Sequence, residues 1–197
     1  MILSDQTIKD KISAGEIKLV PGANQDRDEI MNNIVCASMD LELGNDFKFF
    51  GHIPGHVLNP FDDDSKEISK SIRIEDGEDL IVEPGAFLLA ATKERFGIPA
   101  DIVARVEGRS SLGRLGLIIH VTAGFIDPGF GRDDPSTITL EISNINHVPI
   151  VIRPGMRICQ LAFDQMDRPA AMPYNKKKSA KYNGQQAPQE SKLFVSG

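Results

Sequence analysis

The chain has 197 residues, 41% hydrophobic and 25% charged, the composition of a globular protein large enough to reach a stable core without disulfides or a structural metal. Its 28 acids against 22 bases give a net charge of −6, which excludes a general affinity for nucleic acid or an anionic membrane, so any anionic ligand must be met by locally placed bases. Two cysteines, Cys36 and Cys159, are too few for a disulfide framework or a Cys-rich zinc site, and both are expected to be buried free thiols.

The opening segment carries Asp5 and no long apolar stretch, so it does not read as a signal peptide. No apolar run approaches the roughly 18 residues of a membrane span, and a cytoplasmic protein is expected. Ser4 is a candidate N-cap for one short helix, with Leu3 and Ile8 as its staple, Ile8 and Ile12 on one face and Gly15 beyond its last turn. From about residue 34 the helical period gives way to short runs cut by Gly, Pro and Asn. Strands are predicted at Met39 to Leu43, Asp79 to Val82, Phe87 to Ala91, Ile102 to Val106, Thr137 to Ile142, Ile150 to Ile152 and Ile158 to Phe163. This spacing predicts a mainly β protein, a sandwich, barrel or jelly roll with a minor helix. The stretch from Asn59 to Glu83 gathers Asp62, Asp63, Asp64, Glu67, Glu75, Asp76, Glu78, Asp79 and Glu83 and reads as a solvated loop. From Tyr174 the sign reverses, with Lys176, Lys177, Lys178, Lys181 and Lys192 against Glu190. Such a tail is either a frayed terminus or a flap that orders over an anion.

The densest chemistry lies between Val106 and Leu117, where Arg109, Ser110, Ser111, Leu112, Gly113 and Arg114 follow a strand. Glycines let backbone approach a ligand, hydroxyls and amides hold phosphate oxygens, and Arg supplies a planar fork for them. The ending of a Walker loop is missing. Downstream, Asp127 is the one acid of a Gly-rich apolar segment, and Glu141 falls within a strand run in which Thr137, Thr139 and Glu141 share one face and Ile138, Leu140 and Ile142 the other. His52, His56 and His147 show no metal-ligand spacing, and the motifs of zinc proteases, zinc deaminases and Ser hydrolases are absent.

Gly108-Arg109-Ser110-Ser111-Leu112, then Thr122-Ala123-Gly124-Phe125-Ile126-Asp127-Pro128-Gly129-Phe130, Leu140-Glu141 and Arg157-Ile158-Cys159-Gln160-Leu161 closely resemble the dCTP deaminase family of the dUTPase superfamily. The opening Met1 to Asp5, Ala37 to Gly44, and Pro173-Tyr174 with Lys181 to Gln186 are similar to it as well, so the resemblance covers essentially the whole chain in order. It implies a dUTPase-like jelly roll or β-barrel over residues 1–173, a flexible tail over 174–197 that closes over the nucleotide phosphates, and a homotrimer with sites between subunits. It implies zinc-free hydrolytic deamination of dCTP, with Mg²⁺ carried mainly by the substrate triphosphate. Glu141 would shuttle protons between water, C4 of cytosine and the leaving ammonia, a task that one partly buried carboxyl can perform. Ser110 and Arg114 would orient the water and the developing oxyanion, while Arg109 and Ser111, with Leu112 and Gly113 beside them, would hold the triphosphate. Thr139, Leu140 and Gln160 would contact the nucleotide, Asp127 the deoxyribose 3′-hydroxyl, and Tyr174, Lys181 and Gln185 would close from the tail only on binding.

Members that stop at dUTP tend to carry His-Arg after Thr-Ala, whereas members that also cleave the triphosphate tend to carry Gly-Phe or Gly-Trp. Gly124-Phe125 and Gln160 therefore imply dUMP as product, with Asp127 positioning a second water at the α-phosphate; the alternative is that Gly124 only makes a turn and Phe125 only packs. The linker Gly131-Arg132-Asp133-Asp134-Pro135-Ser136 is about four residues longer than is usual for the resemblance and is expected to be a solvent loop. A dUTPase alone is disfavoured by Glu141 and by the lack of a Gly-rich C-terminal motif, and a non-catalytic nucleotide-binding module by the intact set Ser110, Arg114 and Glu141.

Overall fold

Ser4 caps α1, Asp5–Ser13, in the computed structural model of the chain, which describes residues 1–59 and 68–193. Its hydroxyl accepts from the Thr7 amide, Ile8 and Ile12 are buried, and Gly15 takes the left-handed conformation (φ 73°) that ends the helix. After β1, Lys18–Val20, comes a helix without the periodicity to announce it, α2, Arg27–Asn32, one and a half turns capped by Asp26. Strands then follow closely: β2, Ile34–Val35, β3, Ser38–Glu42, β4, Asp46–Phe50, β5, Ser69–Arg73, and β6, Leu80–Val82. Next are β7, Phe87–Gly97, and β8, Ile102–Gly108, the single turn α3, Ser110–Gly113, and the short β9, Leu117–Ile118, and β10, Phe125–Ile126. β11, Ser136–Asn144, β12, Ile150–Ile152, and β13, Arg157–Gln165, complete the body.

One sheet runs β5-β4-β7-β11-β9 with β1 also on β7; the other runs β10-β8-β13-β3-β2, and β6 pairs with β12. The predicted mainly β class holds. Alternation places Met39 and Leu41, Ile102, Ala104 and Val106, Leu140 and Ile142, and Leu161 and Phe163 in a shared core with Phe47 and Phe96.

Four expectations need correction. Cys159 is buried, but Cys36 is exposed, in a left-handed turn (φ 57°) between β2 and β3 where it cannot reach the core. The acidic stretch is not all loop, because Ser69–Arg73 pairs with β4 and Leu80–Val82 with β12; Asp62, Asp63, Asp64, Lys66 and Glu67 lie outside the described residues. The linker from Gly131 to Ser136 is a solvent loop only at its tip: Asp133 and Asp134 are exposed, whereas Gly131 and Ser136 are buried and Arg132 donates to the Glu16 carbonyl at 2.7 Å. The tail, as far as Leu193, is docked on the body rather than free, with Gln185 only 4% exposed.

Candidate active site

The outer face of the β4-β7-β11 sheet floors a cavity of about 540 Å³, with Phe50, Leu89, Thr139 and Glu141 in its wall. The segment Ala123 to Asp127 forms one side, and Tyr174, Tyr182, Gln185, Gln189 and Ser191 of the tail form the roof. Strand geometry explains the floor: Glu141 pairs with Leu89 and Thr139 with Ala91. Between Thr137 and Thr139 the register slips, because β7 inserts extra residues there. The Ile138 amide donates to the Thr92 hydroxyl at 3.0 Å, and Ile138 lines the cavity together with Thr139, so strict alternation fails at that point.

Glu141 is held from one side. Its Oε2 accepts from the amides of Val121 (2.9 Å) and Thr122 (3.4 Å), while Oε1 makes no hydrogen bond to the described residues. One carboxylate oxygen is thus fixed and the other is left for a water or a ligand. Gln185 lies across the start of β11, its amide nitrogen donating to the Thr137 carbonyl (2.7 Å) and to the Thr139 hydroxyl (3.2 Å). The side-chain oxygens of Gln185 and Gln189 are buried without a partner among the described residues, two acceptors waiting beside the cavity for donors. Tyr174 stacks at a tilt on Phe130, ring centroids 5.8 Å apart, and its hydroxyl accepts from the amides of Lys181 (3.2 Å) and Tyr182 (3.1 Å).

Of the expected site residues the structure brings together Asp127, Thr139, Glu141, Tyr174 and Gln185. Leu140 alternates into the core, 0% exposed, and reaches the site only through its backbone. Arg109, Ser110, Ser111, Leu112, Gly113 and Arg114 do not line the cavity. They form α3 and its flanks at the end of β8, on the other sheet, with Ser110, Ser111, Gly113 and Arg114 exposed. Arg109 is pinned there by Asp40 (3.3 Å). Gln160 belongs to the same surface, accepting from the Ser38 hydroxyl at 2.9 Å and donating to the Gly108 carbonyl at 3.4 Å. Lys181 is also away from the cavity, its ammonium donating to the Leu193 carbonyl. Within one chain there are therefore two surfaces, an apolar cavity whose charged lining residues are Asp127 and Glu141, and a separate exposed turn carrying Arg109 and Arg114.

Gly124 is required where it stands, since a Cβ there would lie 2.9 Å from the Val106 carbonyl and 3.1 Å from the His120 ring. Phe125 does not pack within one chain, being 62% exposed at the cavity edge. Sequence reasoning missed Phe50, Phe87, Tyr182, Gln189 and Ser191 in the wall; Phe50 and Phe87 stack at 5.6 Å, and no local motif marks any of them.

The family model described as dCTP deaminase-like matches residues 2–166. A Dictyoglomus thermophilum protein named dCTP deaminase, dUMP-forming, is 45% identical over 195 residues, 99% of this chain and 96% of its own. A Methanosphaera stadtmanae protein of the same name is 45% identical over 98% of this chain and 93% of its own. The crystal structure of 2′-deoxycytidine 5′-triphosphate deaminase from Agrobacterium tumefaciens superposes with a TM-score of 0.61 at 25% identity, over 82% of this chain and 48% of that longer one. With a family match spanning the body of the fold and relatives aligned along nearly their whole length, this chain belongs to the dCTP deaminase-like family.

Proposed function

We propose that the chain hydrolytically deaminates dCTP and releases dUMP, ammonia and diphosphate. Supporting this are the names of the relatives at 45% identity and one observation above the rest: Glu141 in an otherwise largely apolar cavity, with one oxygen tied to two amides and the other free. A water beside Oε1 gives a proton to Glu141 as its oxygen attacks C4 of the cytosine and the electron pair of the C4=N3 bond moves to N3; Glu141 passes that proton to N3, then takes the proton of the new C4 hydroxyl and delivers it to the exocyclic nitrogen, so that ammonia leaves as the C4 carbonyl forms. The second step is attack of another water on the α-phosphorus, positioned by Asp127 at the cavity edge, with diphosphate departing.

Charge indicates how the site is completed. A nucleoside triphosphate brings about four negative charges, and a cavity with two acids and no basic lining residue among the described residues needs further positive charge to hold it. Arg109 and Arg114 supply that charge only if they come from a second copy, so the working unit is a homotrimer with a site at each subunit boundary, Ser110 and Arg114 of one copy meeting Glu141 of the next. In this reading Mg²⁺ arrives on the triphosphate and the chemistry at C4 runs without zinc. No helix among the described residues is long and apolar enough to cross a membrane.

Chromatography of products from dCTP and Mg²⁺ tests the reading: dUMP is expected without accumulation of dUTP. With dUTP supplied instead, Asp127→Asn is expected to slow diphosphate release more than Glu141→Gln does. Exclusive formation of dUTP, with added dUTP left intact, would restrict the activity to deamination.

A further inference from the structure

The linker between Gly131 and Ser136 holds no group of the reaction, yet it grips the tail on both sides of Gln185. Its root is pressed on β7, where Gly131 (φ 60°) has no room for a side chain beside the Phe96 carbonyl, and Arg132 ties it to the Glu16 carbonyl at 2.7 Å. Asp133 Oδ2 then accepts from Asn175 Nδ2 (3.0 Å), and Ser136 Oγ accepts from the Gly184 amide (2.9 Å) while donating to the Asp134 carbonyl (3.0 Å). The Pro135 carbonyl accepts from Gln186 Nε2 (3.2 Å), whose Oε1 accepts from Arg95 at 2.7 Å. With Gly184 and Gln186 fixed, Gln185 pairs through its backbone carbonyl with the Thr137 amide (3.0 Å) and through its side chain with Thr137 and Thr139 in the cavity floor.

We propose that this linker is a clip that keeps the tail closed, and that Asp133 and Ser136 are positioning residues for nucleotide binding, acting through Gln185. The inference rests on the reading of the cavity as the dCTP site. A tail that had to order for each substrate would lose several residues' conformational freedom at the moment of binding; a clipped tail has already lost it, so the binding-competent fraction is high before nucleotide arrives.

The test uses the full chain, the double variant Asp133→Ala/Ser136→Ala, and Asp133→Asn, whose side-chain oxygen still accepts from Asn175. The double variant should raise KM for dCTP about three- to tenfold, with kcat within about twofold of wild type, as expected when only the competent fraction falls. Without nucleotide, trypsin should cut it at Lys176, Lys177, Lys178 or Lys181 at least about fivefold faster than wild type, because opening governs cleavage. Asp133→Asn should stay near wild type in both measurements. Gly184→Ala, which strains a left-handed residue (φ 72°) and brings a Cβ to 2.7 Å from Asp134 Oδ2, should reproduce the double variant from the tail side with the linker sequence intact. Unchanged KM and unchanged cleavage in the double variant would overturn the clip, as would a fall in kcat matching that in kcat/KM with cleavage unchanged. A wild-type chain that does not turn over dCTP removes the functional reading, and the cleavage comparison alone then decides the clip.

Discussion

Two acids on the paired strands β7 and β11 meet different surroundings, and the difference decides what each can do. Glu141 reaches the cavity with Oε1 open. Gln keeps its shape and can still accept from the Val121 amide, but cannot carry a proton. Glu141→Gln is therefore expected to lower ammonia release from dCTP at least about 10²-fold, with fold and dCTP binding retained; near wild-type release from the pure variant would remove Glu141 from the mechanism. Glu94 is 0% exposed, and burial pushes its carboxyl up to about 7 despite hydrogen bonds from the Gln25 side chain (2.7 Å) and the Glu42 amide (3.2 Å); the Glu42 carboxylate pushes the same way as burial. Lys93 lies near Glu42, and the Cys159 thiol is buried close by. A carboxyl whose folded pKa exceeds its unfolded value of 4.5 stays protonated in the native state where the unfolded chain has already ionised, so its contribution to stability falls as pH rises from about 4.5 to about 7 and levels off above. The drop is on the order of a few kcal/mol. Urea midpoints at pH 5 and pH 8 should show wild type losing more stability than Glu94→Gln over that interval, and a wild-type-to-variant gap independent of pH would contradict the assignment. Nothing local in the sequence marks Glu94 as buried, since Thr-Lys-Glu-Arg reads as a solvated run.

That same run shows what was legible at the level of elements. Strand β7 is predicted only as far as Ala91 but continues to Gly97, because the inserted residues opposite Ile138 turn Glu94 inward and its neighbours Lys93 and Arg95 toward polar partners. Amphipathic runs such as Ser38–Glu42 and Arg157–Gln165 were legible nearly to their ends, since alternation against one core is a local signal. The docking of the tail was not, because its contacts depend on residues distant in sequence. Glu190 is an example: Lys48 (2.6 Å) and Ser69 (2.5 Å) grip its carboxylate, and although burial alone would raise its pKa, these bonds hold it below the ordinary value. A depressed carboxyl contributes stability above its unfolded pKa and loses it as pH falls through the folded one, so the anchor should persist at neutral pH and release in acid below about 4.5. At pH 7, Glu190→Gln is expected to speed amide hydrogen exchange across residues 182–192 while leaving β7 and β11 unchanged. Equal protection of the tail in variant and wild type would show that Lys48 and Ser69 contribute nothing to holding it.

For the whole molecule, the resemblance named the residues proposed for the chemistry and implied sites between subunits, whereas motif spacing alone does not report that one chain holds those residues on separate surfaces. Arg109 and Arg114 flank α3, Glu141 lies in the cavity, and no local spacing reports that distance. Large apolar side chains stand exposed around both surfaces: Leu115 beside α3 is 52% exposed, Val121 beside Glu141 51%, Phe125 62% and Ile145 65%. Such a set on one small domain favours burial against another copy, and a trimer of 21.6 kDa chains would have a mass of about 65 kDa. Size alone does not show that the boundary is the site, whereas mixing does. Glu141→Gln and Arg114→Ala should each be nearly inactive as pure trimers, because every boundary then lacks one partner. In trimers assembled at random from equal amounts of the two, a boundary is intact when an Arg114→Ala copy supplies Glu141 and its neighbour, a Glu141→Gln copy, supplies Arg114, which happens at about a quarter of sites. Co-refolded mixtures should therefore regain about a quarter of wild-type deamination, measured as ammonia released per chain. A mixture that, after confirmed subunit exchange, is no more active than the mean of its two components would place Arg114 and Glu141 in the site of a single chain.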